Sequence, residues 1–179
     1  AFPDTPVNIE IKQDDPPIEQ AVLAVLDGFG ARPRTLLAAE EVSIMGRIRA
    51  AAPDVLTSFA ATEVAEFVGR LRDGTLAGYR PPGVALQVPP SFGEIEIVTR
   101  AFVRAASRLG LEVHVWTIND EDEMERLLDL QVDAVMTDFP ALEKTIDRAI
   151  GPNGEVLDAA SPELETARRR VRRLHAEIQ

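Results

Sequence analysis

Val7-Asn8-Ile9-Glu10-Ile11-Lys12, followed by Pro16-Pro17 and the run from Ile18 to Leu26, is the stretch from which the fold is read. Side chains of a strand alternate between faces, so Val7, Ile9 and Ile11 point one way and Asn8, Glu10 and Lys12 the other. The run after the prolines has helical spacing and is closed by Gly28 and Gly30. An apolar strand leading into an amphipathic helix is one βα unit. It raises a question of its own: why a short strand carries an acid and a base on the inner face, where charge is costly.

The unit recurs. Thr35 to Ala38 precedes a helix from Glu41 to Ala51, stopped by Pro53. Val55 to Phe59 precedes Thr62 to Leu71, stopped by Gly74. Val84 to Val88 precedes Ile97 to Leu109, stopped by Gly110. Val113 to Thr117 precedes Glu121 to Leu130, and Ala134 to Thr137 precedes Pro140 to Ile150, stopped by Gly151. Six such units in a row imply a parallel sheet with right-handed crossovers.

Two α/β architectures satisfy that pattern, a doubly wound open sheet and a (β/α)8 TIM barrel. No G-x-G-x-x-G turn follows a strand, which disfavours the dinucleotide-binding version of the first. The noteworthy polar residues, Glu10 and Lys12, Gln87, Trp116 and Asn119, stand at or near the C-terminal ends of different strands. That is where a barrel places its site. The expectation is a barrel domain over residues 1–151, incomplete by about two of the eight units.

The 179 residues suffice for one domain with a real core. A hydrophobic content of 45% and a charged content of 27% read as globular. No apolar run is long enough to span a bilayer and no stretch reads as a signal peptide. Cysteine is absent, so there is neither a disulfide framework nor thiol chemistry, which fits a reducing, cytoplasmic setting. A net charge of −11 argues against nucleic acid as a partner.

Residues 152–179 differ in character and are expected to form a linker and a C-terminal helix. Asn153-Gly154 is a turn, Ser161 an N-cap and Pro162 a first helical residue. Leu164, Ala167, Val171, Leu174 and Ile178 make one apolar stripe. The arginines of the run Arg168 to Arg173 sit toward the C-terminal half, where the helix dipole favours cations. A solvated packing helix is the plainer reading and a partner-binding or anionic-surface role the sharper one.

The last third carries the most specific signal. His114-Val115-Trp116-Thr117-Ile118-Asn119 is followed by Met124 to Asp133, reading MERLLDLQVD, and then by Thr137-Asp138-Phe139-Pro140. In this order the three resemble the C-terminal part of the glycerophosphodiester phosphodiesterase family. Ala85-Leu86-Gln87-Val88-Pro89 and the strand at residues 7–12 resemble it too, so the likeness runs from about Thr5 to Ile150. The resemblance implies a (β/α)8 barrel. It implies hydrolysis of a glycerophosphodiester to sn-glycerol 3-phosphate and an alcohol, with a divalent cation, Ca²⁺ or Mg²⁺, held by carboxylates.

It further implies that Glu10 is a metal ligand and that Lys12 stands beside the phosphate as a catalytic residue. A hard cation wants oxygen donors, and a phosphodiester wants a fixed positive charge. A simple neutralising ion pair is the plain alternative. Gln87, Trp116 and Asn119 are the implied substrate-binding residues. Against these stand a satisfied core amide for Gln87, a core aromatic for Trp116 and a helix cap for Asn119. His114 reads as core filler, Asp138 as a turn residue, and His175 carries no assignment.

The family's H-R-G, E-N-T and H-D motifs, which supply its histidine acid and base and further metal ligands, do not occur in the sequence. All would precede residues 7–12, as would the two missing units. The expectation is a C-terminal portion of a longer enzyme, lacking a segment on the order of 70–100 residues. A pseudoenzyme is the other explanation. Alone the chain is expected to be inactive, and to aggregate or oligomerise through unpaired sheet edges. A non-catalytic binding domain and a different phosphate-handling barrel are the competing functional readings. The latter is weakened because no Gly-rich phosphate loop follows the last two strands.

Overall fold

A computed structural model describes residues 5–139, together with two short strands at Ala149–Ile150 and Val156–Leu157. The chain divides into two compact units, residues 1–86 and 87–179.

In the first unit β1 (Val7–Glu10) pairs in parallel with β2 (Thr35–Ala38), and β2 with β3 (Leu56–Thr57). Val7 lies opposite Thr35 and Glu10 opposite Ala38. Leu37 of β2 lies opposite Thr57. The helices between them are α1 (Glu19–Gly28) and α2 (Val42–Ala51), and α3 (Ala61–Arg72) follows β3. All four residues of β2 are buried, as in a parallel sheet covered on both faces.

One face of β1 holds the core of this unit. Ile11 joins Leu23 and Leu26 of α1, Leu37 of β2, and Ile44, Met45 and Ile48 of α2, with Ile9 packed against them. Full burial of each such side chain contributes about 1.5–3 kcal/mol. The assignment of Ile9 and Ile11 to the apolar face therefore holds. The strand is shorter than expected: it stops at Glu10, so Lys12 lies beyond it. The polar face is mixed, since Asn8 is buried while Lys12 is exposed.

β3 is likewise shorter than residues 55–59, because the ladder with β2 reaches only Thr57. A single bridge from Ser58 to Ala85 follows. Gly83 allows the chain to pass there: an added Cβ would sit 2.5 Å from the Thr57 carbonyl oxygen and 2.7 Å from that of Ser58. One turn absent from the sequence reading, the 3₁₀ helix Arg32–Arg34, precedes β2.

β4 (Ala85–Val88) ends the first unit with Ala85 and Leu86 and opens the second with Gln87 and Val88. β7 (Glu112–Val115) lies between β4 and β8 (Ala134–Val135), and pairs with β8 in parallel, His114 opposite Ala134 and Val115 opposite Val135. A helix expected to follow β4 from Ile97 starts late. A hairpin intervenes, β5 (Ser91–Phe92) and β6 (Ile95–Glu96), with Gly93 in the left-handed region at φ 59°. α4 (Arg100–Arg108) begins after Thr99, whose hydroxyl accepts from the Phe102 N–H at 3.2 Å. α5 (Glu121–Asp129) follows β7. Val88, Val98, Phe102, Val103, Val113, Val115, Met124, Leu127, Val132 and Val135 are buried here.

Five strand–helix pairs are thus described in the expected order, β1α1, β2α2, β3α3, β4α4 and β7α5. The last expected helix, residues 140–150, is corrected at its end. β9 (Ala149–Ile150) pairs antiparallel with β10 (Val156–Leu157). Its earlier part, the turn at Asn153-Gly154, the helix from Ser161, the arginine run and His175 lie outside the described residues. So does the expected domain boundary at residues 151 and 152.

Candidate functional site

Glu10 is the last residue of β1 and Lys12 lies two residues on, both in the first unit. The Lys12 ammonium lies 3.1 Å from a Glu10 carboxylate oxygen, and the two side chains are 75% and 29% exposed. The pair is accessible, so both groups remain within reach of a ligand.

The loop after this pair is anchored by a network the sequence reading missed. Arg47 of α2 reaches Asp14 at 2.6 Å and Glu19 at 2.7 Å. The Ser43 hydroxyl also approaches Asp14, at 3.4 Å. Glu19 is buried, and burial alone pushes its carboxyl up. Hydrogen bonds from Arg47 and a backbone N–H, with the guanidinium charge, outweigh that and hold it below the usual range. Asp14 is lowered chiefly by its hydrogen bond from Arg47. No local spacing announces this link, because it joins residues 28 and 33 positions apart.

A second network lies behind β3. Arg49 donates two bonds to Glu63, at 2.6 and 3.0 Å, and one to the Ser58 carbonyl at 2.9 Å. Glu63 in turn accepts from the Ala60 N–H at 2.8 Å. This is half of a capping box, since Ala60 has no side-chain oxygen to complete it. A cleft of about 340 Å³ between α3 and the chain at residues 77–82 is lined by Glu66, Arg70, Tyr79 and Arg80 among others. It holds none of the residues singled out from the sequence.

In the second unit Gln87 is half-buried on β4 and its amide nitrogen lies 3.2 Å from His114 Nδ1. His114 is fully buried, and its Nε2 lies 3.0 Å from Glu112. Trp116 stands one residue past the end of β7, its N–H donating to the Val88 carbonyl at 3.2 Å. Its side chain is 43% exposed, which excludes the core-aromatic reading. The helix cap expected of Asn119 falls to its neighbour Asp120, which accepts from the Glu123 N–H at 2.9 Å.

Asn119 instead fastens two loops. Its carbonyl oxygen accepts from the Thr137 hydroxyl at 3.1 Å and the Asp138 N–H at 3.0 Å. Its amide nitrogen donates to the Asp138 carboxylate at 3.0 Å. This side chain joins the segments after β7 and β8, beside the backbone bond from the Ile118 N–H to the Met136 carbonyl at 2.9 Å. Arg126 of α5 holds Glu123 on its own helix and Glu96 of the hairpin, the latter at 3.0 Å.

The structure thus brings Glu10 together with Lys12 in one unit. In the other it brings Gln87 to His114 and Asn119 to Asp138. Among the described residues no group of three or more His, Cys, Asp or Glu is placed to hold a metal ion. Glu10 offers a single carboxylate, and a Ca²⁺ or Mg²⁺ site needs several oxygens. The described residues by themselves do not fit a complete cation site. No described helix is long and apolar enough to cross a membrane.

Comparison with known proteins identifies the family. The model of the "Glycerophosphoryl diester phosphodiesterase family" matches residues 2–142. Lysophospholipase D GDPD3 of Mus musculus is 25% identical over 187 residues, covering 89% of this chain and 56% of that protein. The crystal structure of a glycerophosphodiester phosphodiesterase from Agrobacterium tumefaciens superposes with a TM-score of 0.60 at 18% identity. It covers 79% of this chain and 55% of that one. That likeness shows the fold, an α/β fold of the TIM-barrel kind. A segment match also exists, 49% identity over 43 residues with endonuclease MutS2 of Thermomicrobium roseum, 24% of this chain and 5% of that protein. The chain spans a little over half the length of the mouse relative.

Proposed function

This chain belongs to the glycerophosphoryl diester phosphodiesterase family, and we propose that it supplies part of a barrel that hydrolyses glycerophosphodiesters. The products are sn-glycerol 3-phosphate and an alcohol. The observation that carries the reading is the accessible Glu10–Lys12 pair at the end of a parallel strand, 3.1 Å apart, in a chain whose family acts on phosphodiesters.

In this reading Lys12 stabilises charge on the phosphate as the scissile P–O bond breaks, and Glu10 is the one ligand these residues contribute to a divalent cation. When bound, the cation would polarise the phosphoryl oxygens. Within the second unit Gln87, Trp116 and Asn119 are read as the residues that bind the glycerol moiety, Asn119 also fastening the segments after β7 and β8. The proton-transfer groups are put outside the 179 residues, because no H-R-G or H-D motif stands among them. The barrel is accordingly read as about six units within residues 1–151; a cytoplasmic location is a separate part of the proposal. The absence of those motifs also favours a second reading, a non-catalytic phosphodiesterase-like binding domain.

The test uses the 179-residue chain and the product of the whole gene in parallel. The chain is expected to bind sn-glycerol 3-phosphate weakly by calorimetry and to show no turnover of glycerophosphocholine. The whole gene product is expected to release sn-glycerol 3-phosphate, and a chelator to stop it. Binding without any release by the whole product selects the non-catalytic domain. Binding unaffected by Lys12→Met removes Lys12 from the site.

A further inference from the structure

We infer that His114 is a positioning residue for Gln87: it fixes the orientation of the Gln87 amide, which then offers one acceptor and one donor to a hydroxyl of the glycerol moiety. The second half rests on the substrate reading above. The first stands on geometry alone.

His114 is completely buried on β7 and touches a polar group at each ring nitrogen. The Glu112 carboxylate, which only accepts, waits 3.0 Å from Nε2, so the proton of a neutral imidazole sits there. Nδ1 then presents its lone pair, and the Gln87 amide nitrogen, a donor, faces it at 3.2 Å. Donors and acceptors match along the whole chain of three side chains. Were Gln87 turned over, its oxygen would oppose the Nδ1 lone pair, so the ring selects one of the two amide orientations. Glu112 and His114 are two residues apart on one strand and share a face, which lets the carboxylate reach the ring.

One amide proton of Gln87 is spent on the ring. The amide carbonyl oxygen and the second N–H are what it can offer a ligand. A hydroxyl donates and accepts through one oxygen and meets both. A phosphate oxygen only accepts and would use one of them. The ligand class that fits is therefore an alcohol, and glycerol carries two beside the ester.

Asn and Gln replacements separate this from a general packing role. In Asn the side-chain oxygen stands close to where Nδ1 lies, and in Gln the amide reaches toward Nε2. His114→Asn should keep the acceptor for Gln87, while His114→Gln should lose it and keep a partner for Glu112. The probes are sn-glycerol 3-phosphate and inorganic phosphate, titrated into the whole chain. We expect Gln87→Ala and His114→Gln each to weaken sn-glycerol 3-phosphate about tenfold with phosphate unchanged. His114→Asn should stay within about threefold of the parent. The double variant Gln87→Ala/His114→Gln should be no weaker than either single one, as for residues acting through one contact. Equal losses in His114→Asn and His114→Gln, or a parallel loss of phosphate, would mean that His114 only fills the core.

A nitrogen NMR spectrum of the ring makes the failure of the two readings distinguishable. If the parent binds neither probe, the substrate reading falls. The positioning claim is then decided by whether Nδ1 is unprotonated, and by whether the Gln87 side-chain amide signals move in His114→Gln but not in His114→Asn. A protonated Nδ1 overturns it.

Discussion

Arg47 joins the exposed carboxylate of Asp14 to the buried carboxylate of Glu19, at 2.6 and 2.7 Å. It thereby holds the loop that follows Glu10 and Lys12 against α1 and α2. Both carboxyl groups lie below their ordinary values. A depressed carboxyl adds stability that is fully present above its unfolded pKa and is lost as pH falls through the folded one. Replacement by Arg47→Met should therefore lower the melting temperature at pH 7, and the gap to the parent should close only as pH falls below the ordinary carboxylate range, through the depressed folded values of Glu19 and Asp14. Thermal melts of both proteins across that range check it. A gap that widens on acidification contradicts the assignment.

Glu10 and Lys12 form a different kind of pair, accessible and separate from that network. Removing either charge should cost stability by less than about 1 kcal/mol, as for exposed ion pairs. Denaturant titration of Glu10→Gln and Lys12→Met checks this. A small cost makes any large loss of ligand binding in the same variants a local effect, not a consequence of unfolding.

Gly83→Ala tests the passage beside β3. The added methyl meets the carbonyl oxygens of Thr57 and Ser58 at 2.5 and 2.7 Å, closer than van der Waals contact. These are backbone atoms and yield only if the chain shifts. The expected destabilisation is about 1–3 kcal/mol, in the range of overpacked cores, read as a lower urea midpoint. An unchanged midpoint would show that the bridge from Ser58 to Ala85 is slack.

Glu63→Ala should be costly although α3 lies at the surface. It leaves the Ala60 N–H and the Arg49 guanidinium without the partner that both share. A loss of about 1–3 kcal/mol is expected. Glu63→Gln should recover part of it, since an amide oxygen still accepts at the cap. Equilibrium unfolding of the three proteins measures both steps.

Much of the architecture was legible in local pattern. The alternation from Val7 to Lys12, the helical spacing after it and the recurrence of both determine a parallel α/β chain, because strand and helix periods differ and each unit repeats the same switch. The order of the segments around Gln87, Trp116 and Thr137 pointed to the family that the comparison then gave over residues 2–142. What the pattern did not reveal was the hairpin at residues 91–96, where two-residue strands are too short to show a period.

The partners of individual side chains were decided only in three dimensions. Nothing near Asn119 in sequence says that it fastens Thr137 and Asp138. His114 looked like filler because its alternation marks burial and no more; that its Nδ1 meets Gln87 follows from the adjacency of β4 and β7, while Glu112 reaches Nε2 along their own strand. The physical reason is the same in each case. Periodicity fixes which way a side chain points along its own element, whereas a hydrogen bond across tens of residues depends on which elements lie side by side, and the sequence encodes that only through the packing of the whole fold.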